Sequence, residues 1–358
     1  MHTWYARYKL ALTSILILLL SGCGGEPLYQ QQSYVFGTLV EVTLYGEPED
    51  RAKPAVAEVF AQFNELHHTL HAWQESEVTR VNDAFAGGSQ PAGVSPLLRR
   101  IIIDATRFSS ASGGAFNPAI GGLVGLWGFH AEESKPQLPD PKAVAALLKA
   151  RPRMTDIVLD SNTVHSRNRA VRLDFGGYAK GHALDRAAAL LHARGVKNAL
   201  INIGGNIMAL GAHGKRPWQV GIQHPRKPGT VATLPLFDGE AIATSGDYQR
   251  FFDLGGRRYC HVIDPATGQP VQGVQSATVI AAPGPYAGAL SDAATKPLFI
   301  AGKTGWLEAA QRMGIAKAML IDDQGEIYIT PELQQRLKFP QHESRGDTPE
   351  EAFDATGK

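Results

Sequence analysis

The segment DFGGYAKGHALDRA, from Asp174 to Ala187, constrains this chain more than any other. A carboxylate and two glycines end an extended run, AVRLD, and Lys180 and Gly181 then open a helix. Glycines at such a joint let a ligand or another backbone come close. The first N–H groups of a helix have no internal partner and attract phosphate. An acid beside a phosphate site works through a divalent cation or a ribose hydroxyl. The plainer alternative is a glycine-rich strand-to-helix turn packed for compactness.

The flanking pattern is that of a mixed α+β chain. VFGTLVEVTLYG, 35–46, alternates as a strand does. From Pro54 to Trp73, the residues Val56, Val59, Phe60, Phe63, Leu66 and Leu70 mark one face of a helix. Ser95-Pro96 caps and starts a second helix that Gly113-Gly114 stops, and Asp140-Pro141 starts a third. Short strands are expected at DIVLD, TVHS, AVRLD and NALINIGG, a helix from Asp174 to Gly195, and another near 287–300. The 38 glycines and 22 prolines demand many tight turns, which a helical bundle does not. No repeat and no internal linker divides the chain.

The N-terminus reads as an export signal. Arg7 and Lys9 precede LALTSILILLL, an apolar run well short of the ~20 residues that span a bilayer. It ends in LSGC, which resembles a bacterial lipobox, so cleavage and acylation are expected at Cys23. Two acyl signals suffice for stable anchoring. Only Cys260 would then remain, which leaves no disulfide. The expected divisions are a signal at 1–22, a lipidated tether at 23–33, one domain at 34–340 and a charged, disordered tail at 341–358. A net charge of +1 gives no basis for nucleic-acid binding.

Six segments, in order, resemble the ApbE family of flavin transferases: FGT (36–38), SGGAFNPAIGGLVGLWGF (112–129), DFGGYAKGHALDRA (174–187), INIGGNIMALG (201–211), ATSGDYQRFFDLGGRRYCHVIDPATGQPV (243–271) and ALSDAATKPLFIAG (289–302). The resemblance implies an α+β, mixed-sheet single catalytic domain of the ApbE-like (T-fold-like) type. It implies FMN transfer from the substrate FAD to a threonine or serine of a partner through a phosphoester, with Mg²⁺ and loss of AMP. The acceptor would be a flavin-bearing subunit of a membrane redox complex, met by a lipoprotein that faces the periplasm. A pyrophosphatase making free FMN and AMP, and a non-catalytic FAD-binding lipoprotein, are the alternatives.

Residue roles follow the same resemblance. Phe36, Ala115, Ile263 and Trp73 would contact the cofactor, and Phe116 would cover a flat ring. Asn117 offers amide donors and an acceptor to a ring edge. Trp127 reads as core. Gly204-Gly205 either approach the dinucleotide or form a simple turn. Asp174 and Lys180 would position ribose or phosphate, and Thr244 and Ser245 a phosphate or substrate hydroxyl. His261, with a near-neutral pKa, would take the acceptor's proton or orient the flavin. Cys260 beside it is no nucleophile partner, since neighbours on a strand face opposite ways. The family's metal set is a GG-turn carbonyl, an aspartate and a threonine four residues on, here Gly177, Asp292 and position 296. Position 296 is lysine, so Thr295 is expected to substitute as ligand. Alternatively, the Lys296 ammonium stands where the cation's charge sits, or transfer is lost while FAD binding remains.

Overall fold

The alternating run near the N-terminus folds as a hairpin. Phe36 and Gly37 both have positive φ, 55° and 70°, and close a two-residue turn between β1 (Leu28–Val35) and β2 (Thr38–Tyr45). Glycine takes that conformation freely, whereas a phenylalanine there is strained. The computed structural model describes residues 26–88, 90–130 and 136–340. The expected signal, Cys23 and the tail lie outside the described residues. β1 corrects the expected tether, which it enters at Leu28. LYQQQS alternates only between exposed and half-buried positions, so pairing with β2 holds it and hydropathy gives no sign of it.

Six more strands complete one sheet: β3 (Ala199–Ile203), β4 (Asn206–Leu210), β5 (Ala241–Gly246), β6 (Val274–Ala281), β7 (Lys317–Asp322) and β8 (Ile327–Ile329). Sheet order follows chain order from β1 to β8. Every neighbouring pair is antiparallel, where a mixed sheet was expected. Strands adjacent in both senses need no parallel crossover. The α+β class of one domain holds. Gly204 and Gly205 form the β3–β4 turn with φ of 57° and 92°, so these glycines serve the hairpin.

Helices α1 (Glu49–Leu70), α2 (Glu77–Gly87), α3 (Pro96–Ala111), α4 (Pro141–Ala150), α5 (Ala179–Ala193) and α6 (Ala287–Arg312) follow. The structure adds α2 to the expected set. Ser76 and Thr79 cap each other at its start, and only Val78, Val81 and Phe85 give it an apolar stripe. α1, α5 and α6 bury one face of the sheet, where Ala277, Val279 and Ala281 of β6 point. Ile280 points the other way. There it meets Ile242 and Met319 and is covered by the hairpin 218–223/230–236 through Trp218 and Leu234. A third apolar cluster joins the short helix 121–126, α4 and the hairpin 251–254/257–260 around Trp127, Phe129 and Phe252.

The first turns of α5 and α6 touch backbone to backbone and cap each other. Asp292 of α6 accepts the Gly181 N–H of α5 at 3.0 Å. Asp185 of α5 accepts the Gly288 and Ala289 N–H groups of α6 at 2.7 and 2.8 Å. Each helix thus satisfies the other's unpaired N-terminal donors with a carboxylate, which the helix dipole also favours.

Candidate active site

Asp174 does not end a sheet strand. The extended strap that carries it is pinned from both sides. Arg172 and Asp174 donate their N–H groups to the carbonyls of Ala119 and Pro118, at 3.1 and 2.8 Å. The buried Asn82 amide brackets Leu173, accepting its N–H at 2.6 Å and donating to its carbonyl at 2.9 Å. NPAIGG therefore acts as a rail for Asp174. The carboxylate accepts the Gly176 N–H at 2.8 Å and stands 3.4 Å from His130 Nε2. Burial raises its pKa, but His130, the Gly176 N–H and Arg250 outweigh burial and hold it below the usual carboxylate range.

Trp73 lies beside this acid. It stacks on His130 with ring centres 4.9 Å apart and planes at 23°, and the Arg250 guanidinium is 5.5 Å from the Trp73 ring. A line of rings leads away from it through His71 and His67 to Phe36 at the strained hairpin tip, each 5.0–5.8 Å from the next. A cleft of about 530 Å³ opens beside Trp73, bounded by Gly121, Gly122, His130 and Arg172.

Three cations, Arg250, Lys180 and Lys296, act on His261. Lys180 is half-buried and has no hydrogen-bond partner among the described residues. Burial lowers its pKa, Asp292 pulls it back, and Lys296 and Arg250 lower it further. His261 Nδ1 lies 3.2 Å from the Arg250 carbonyl, so it carries the proton and donates, leaving Nε2 as an acceptor. Burial, followed by Arg250, Lys180 and Lys296, pushes the His261 pKa down to about 3. The expected near-neutral base is therefore a neutral imidazole among cations. Cys260 packs in the core with its thiol pushed up to about 11 by burial, as unreactive as its strand position implies.

Asp292 is buried and fully engaged. One carboxylate oxygen takes the Gly181 N–H, and the other takes Lys296 Nζ at 2.6 Å. Lys296 Nζ also donates to the Asp292 carbonyl at 2.9 Å. A Cβ on Gly177 would meet Lys296 Cε at 2.8 Å, so the lysine stem lies against the GG turn. The Thr295 hydroxyl donates to the Asp292 carbonyl at 2.7 Å and pairs with Ser245 Oγ at 2.7 Å. The expected set of Gly177, Asp292 and Thr295 therefore does not fit Mg²⁺. An ammonium fills the gap between acid and turn, and the threonine is turned onto β5. Thr244 likewise spends its hydroxyl on Thr278, at 2.9 Å.

Two expected cofactor contacts have partners within the protein. Asn117 donates to the Pro152 carbonyl at 2.9 Å and accepts the Ala119 N–H at 3.1 Å, which leaves little for a ring edge. Phe116 is buried against Tyr178. Ala115 is half-buried just past the Gly113-Gly114 turn, and Ile263 packs in the third apolar cluster. Trp127 is core, its indole N–H donating to the Gly268 carbonyl at 2.8 Å.

The chain matches the ApbE family over residues 36–320. It belongs to the ApbE family. It is 42% identical over 339 residues to the FAD:protein FMN transferase of Rhodobacter capsulatus, covering 93% of this chain and 63% of that protein. It is 34% identical over 303 residues to the FAD:protein FMN transferase of Treponema pallidum, covering 78% and 83% of the two chains. The crystal structure of the ApbE protein from Thermotoga maritima superposes with a TM-score of 0.77 at 28% identity, over 87% of this chain and 99% of that one. Within this ApbE chain, Arg250 and His130 also stand at the site, beside Trp73 and Asp174. The signal for Arg250 was its place in ATSGDYQRFF. His130 follows a family segment by one residue, and only the fold brings it to Asp174.

Proposed function

We propose that this chain transfers FMN from FAD to a hydroxyl side chain of an acceptor protein and releases AMP. The observation that carries the reading is Lys180, which has no hydrogen-bond partner among the described residues and acts with Arg250 and Lys296 on His261, whose Nδ1 lies 3.2 Å from the Arg250 carbonyl. That group suits the two charges of a dinucleotide pyrophosphate. The names of the relatives point the same way. The isoalloxazine is taken against Trp73 and the ring line to Phe36, with Asp174 on a ribose hydroxyl.

In the step itself, the acceptor oxygen forms a bond to the FMN-side phosphorus as the P–O bond to AMP breaks. The electron pair leaves on the AMP phosphate, and the acceptor's proton passes to His261 Nε2. A bound pyrophosphate offsets the three cations that add to burial in depressing this imidazole, so that part of the depression is relieved when substrate is present. Lys180 and Arg250 stabilise the charge that develops on the phosphates. We also take the acceptor as a flavin-bearing subunit of a membrane redox complex, reached from a lipid anchor at Cys23 on the periplasmic side. Full membrane retention of a processed Cys23→Ala protein would overturn the anchor.

The test for the reaction is incubation with FAD and an acceptor domain, followed by AMP chromatography and intact-protein mass. AMP together with a flavin adduct on the acceptor supports transfer. AMP with free FMN and no adduct means a pyrophosphatase, and unchanged FAD means a binding protein.

A further inference from the structure

We propose that the Lys296 ammonium takes the place of the divalent cation in this chain, so that FAD is cleaved without Mg²⁺. The chemistry rests on the FMN-transfer reading above, and the occupancy of the site does not. Asp292 Oδ1 and its carbonyl both face Lys296 Nζ, at 2.6 and 2.9 Å, while Oδ2 is held by Gly181. The Lys296 stem lies on Gly177, and the Thr295 hydroxyl is tied to Ser245. Asp292 and Thr295 are thus satisfied by protein, and the Lys296 stem packs over the third expected ligand residue, Gly177. The Lys296 and Asp292 side chains are 16% and 3% exposed, so a metal ion would have to displace a largely buried pair. Breaking such a pair leaves an uncompensated charge and is strongly unfavourable.

The ammonium also has the right valence for the task. It carries three N–H donors, of which Asp292 takes two, leaving one for a phosphate oxygen. As the bond between FMN phosphorus and the AMP oxygen breaks, the pair left on AMP meets that third donor. A single hydrogen bond from a tethered ammonium offsets the charge but does not clamp two phosphates as Mg²⁺ does. Lys180 and Arg250 then carry the rest of the positioning.

The experiment compares the parent protein with Lys296→Thr and Lys296→Met. Mn²⁺ alone is titrated by electron paramagnetic resonance, and AMP release from FAD is measured in EDTA and in Mg²⁺. The parent should bind Mn²⁺ at least about tenfold more weakly than Lys296→Thr, which opens the place beside Asp292 and supplies a hydroxyl four residues from it. EDTA should leave the parent's AMP release unchanged and should cut that of Lys296→Thr. Lys296→Met, close to lysine in length, should lose AMP release by roughly tenfold or more in both media. Parent protein that binds Mn²⁺ as tightly as Lys296→Thr, or that stops releasing AMP in EDTA, overturns the proposal. If no protein releases AMP under any condition, the transfer reading fails, and the Mn²⁺ titration still decides what occupies the site. Should Lys296→Thr fail to fold, Lys296→Met decides on charge alone: unchanged AMP release in EDTA refutes the role of the ammonium.

Discussion

Gly181→Ala should destabilise this protein although alanine is the better helix former. A Cβ at 181 would stand 2.7 Å from both the Gly288 carbonyl carbon and Asp292 Cβ, and closer still to the Gly288 oxygen. Two of those atoms are backbone and cannot swing aside. The first turns of α5 and α6 must therefore separate by about 1 Å to reach ordinary contact distance. Overpacking of this kind costs ~1–3 kcal/mol. Separation also stretches the Gly181 N–H bond to the Asp292 carboxylate, a charge-assisted bond contributing ~1.5–3 kcal/mol. Against these stands the intrinsic gain of alanine over glycine in a helix, ~1 kcal/mol. The net cost is ~2–5 kcal/mol, which in a domain of this size lowers Tm by about 4–10 °C. Scanning calorimetry of the parent and mutant checks it, with Gly87→Ala, where a Cβ meets nothing within 4 Å, as control. Gly288→Ala should behave alike, and the double mutant should cost less than the sum, because one gap serves both methyl groups. A Gly181→Ala protein that melts with or above the parent refutes the close-contact argument.

Lys180→Met should weaken FAD binding by roughly tenfold or more without lowering Tm, since no described residue loses a hydrogen bond; flavin-fluorescence titration reads it. Trp73→Ala should cost about 0.5–1.5 kcal/mol of FAD affinity if the isoalloxazine stacks there, and unchanged affinity would place the flavin elsewhere. Glu240 is buried, which raises its pKa, but bonds from Arg336 and Lys317 outweigh burial and hold it below the usual range. Its stabilising effect is therefore full above the ordinary glutamate pKa and is lost as pH falls through the lower folded value. Glu240→Gln should cost ~3–5 kcal/mol at neutral pH and flatten the acid limb of a Tm-versus-pH curve.

Periodicity and caps marked α1, α3, α4, α5 and the start of α6, because each carries an apolar stripe or a stop signal of its own. β1 escaped because an edge strand held by pairing needs no apolar residues. AVRLD has the letters of a strand, yet a side-chain amide and a loop satisfy its backbone, a choice made by residues some 50 to 90 positions away. The site divides the same way. The family segments pointed to Asp174, Lys180, His261 and Asp292, but not to the hydrogen bonds that occupy Asn117 and Thr295. Whether a polar group is free depends on which neighbour reaches it first, and that is a property of the assembled fold. The depressed His261 pKa likewise comes from burial in the assembled fold first and from three cations of three segments second.

The paired helix starts bear on how this chain reaches its native state. The bonds that complete them join residues 103 to 111 positions apart. Neither helix start is satisfied until the other has docked, so a nascent α5 waits, frayed at its first turn, for a segment made a hundred residues later. Such distant closure is slow. Amides 181, 288 and 289 should therefore gain protection from hydrogen exchange together and late in refolding, as one cooperative unit, and the Lys180–Lys296 site should appear only with them.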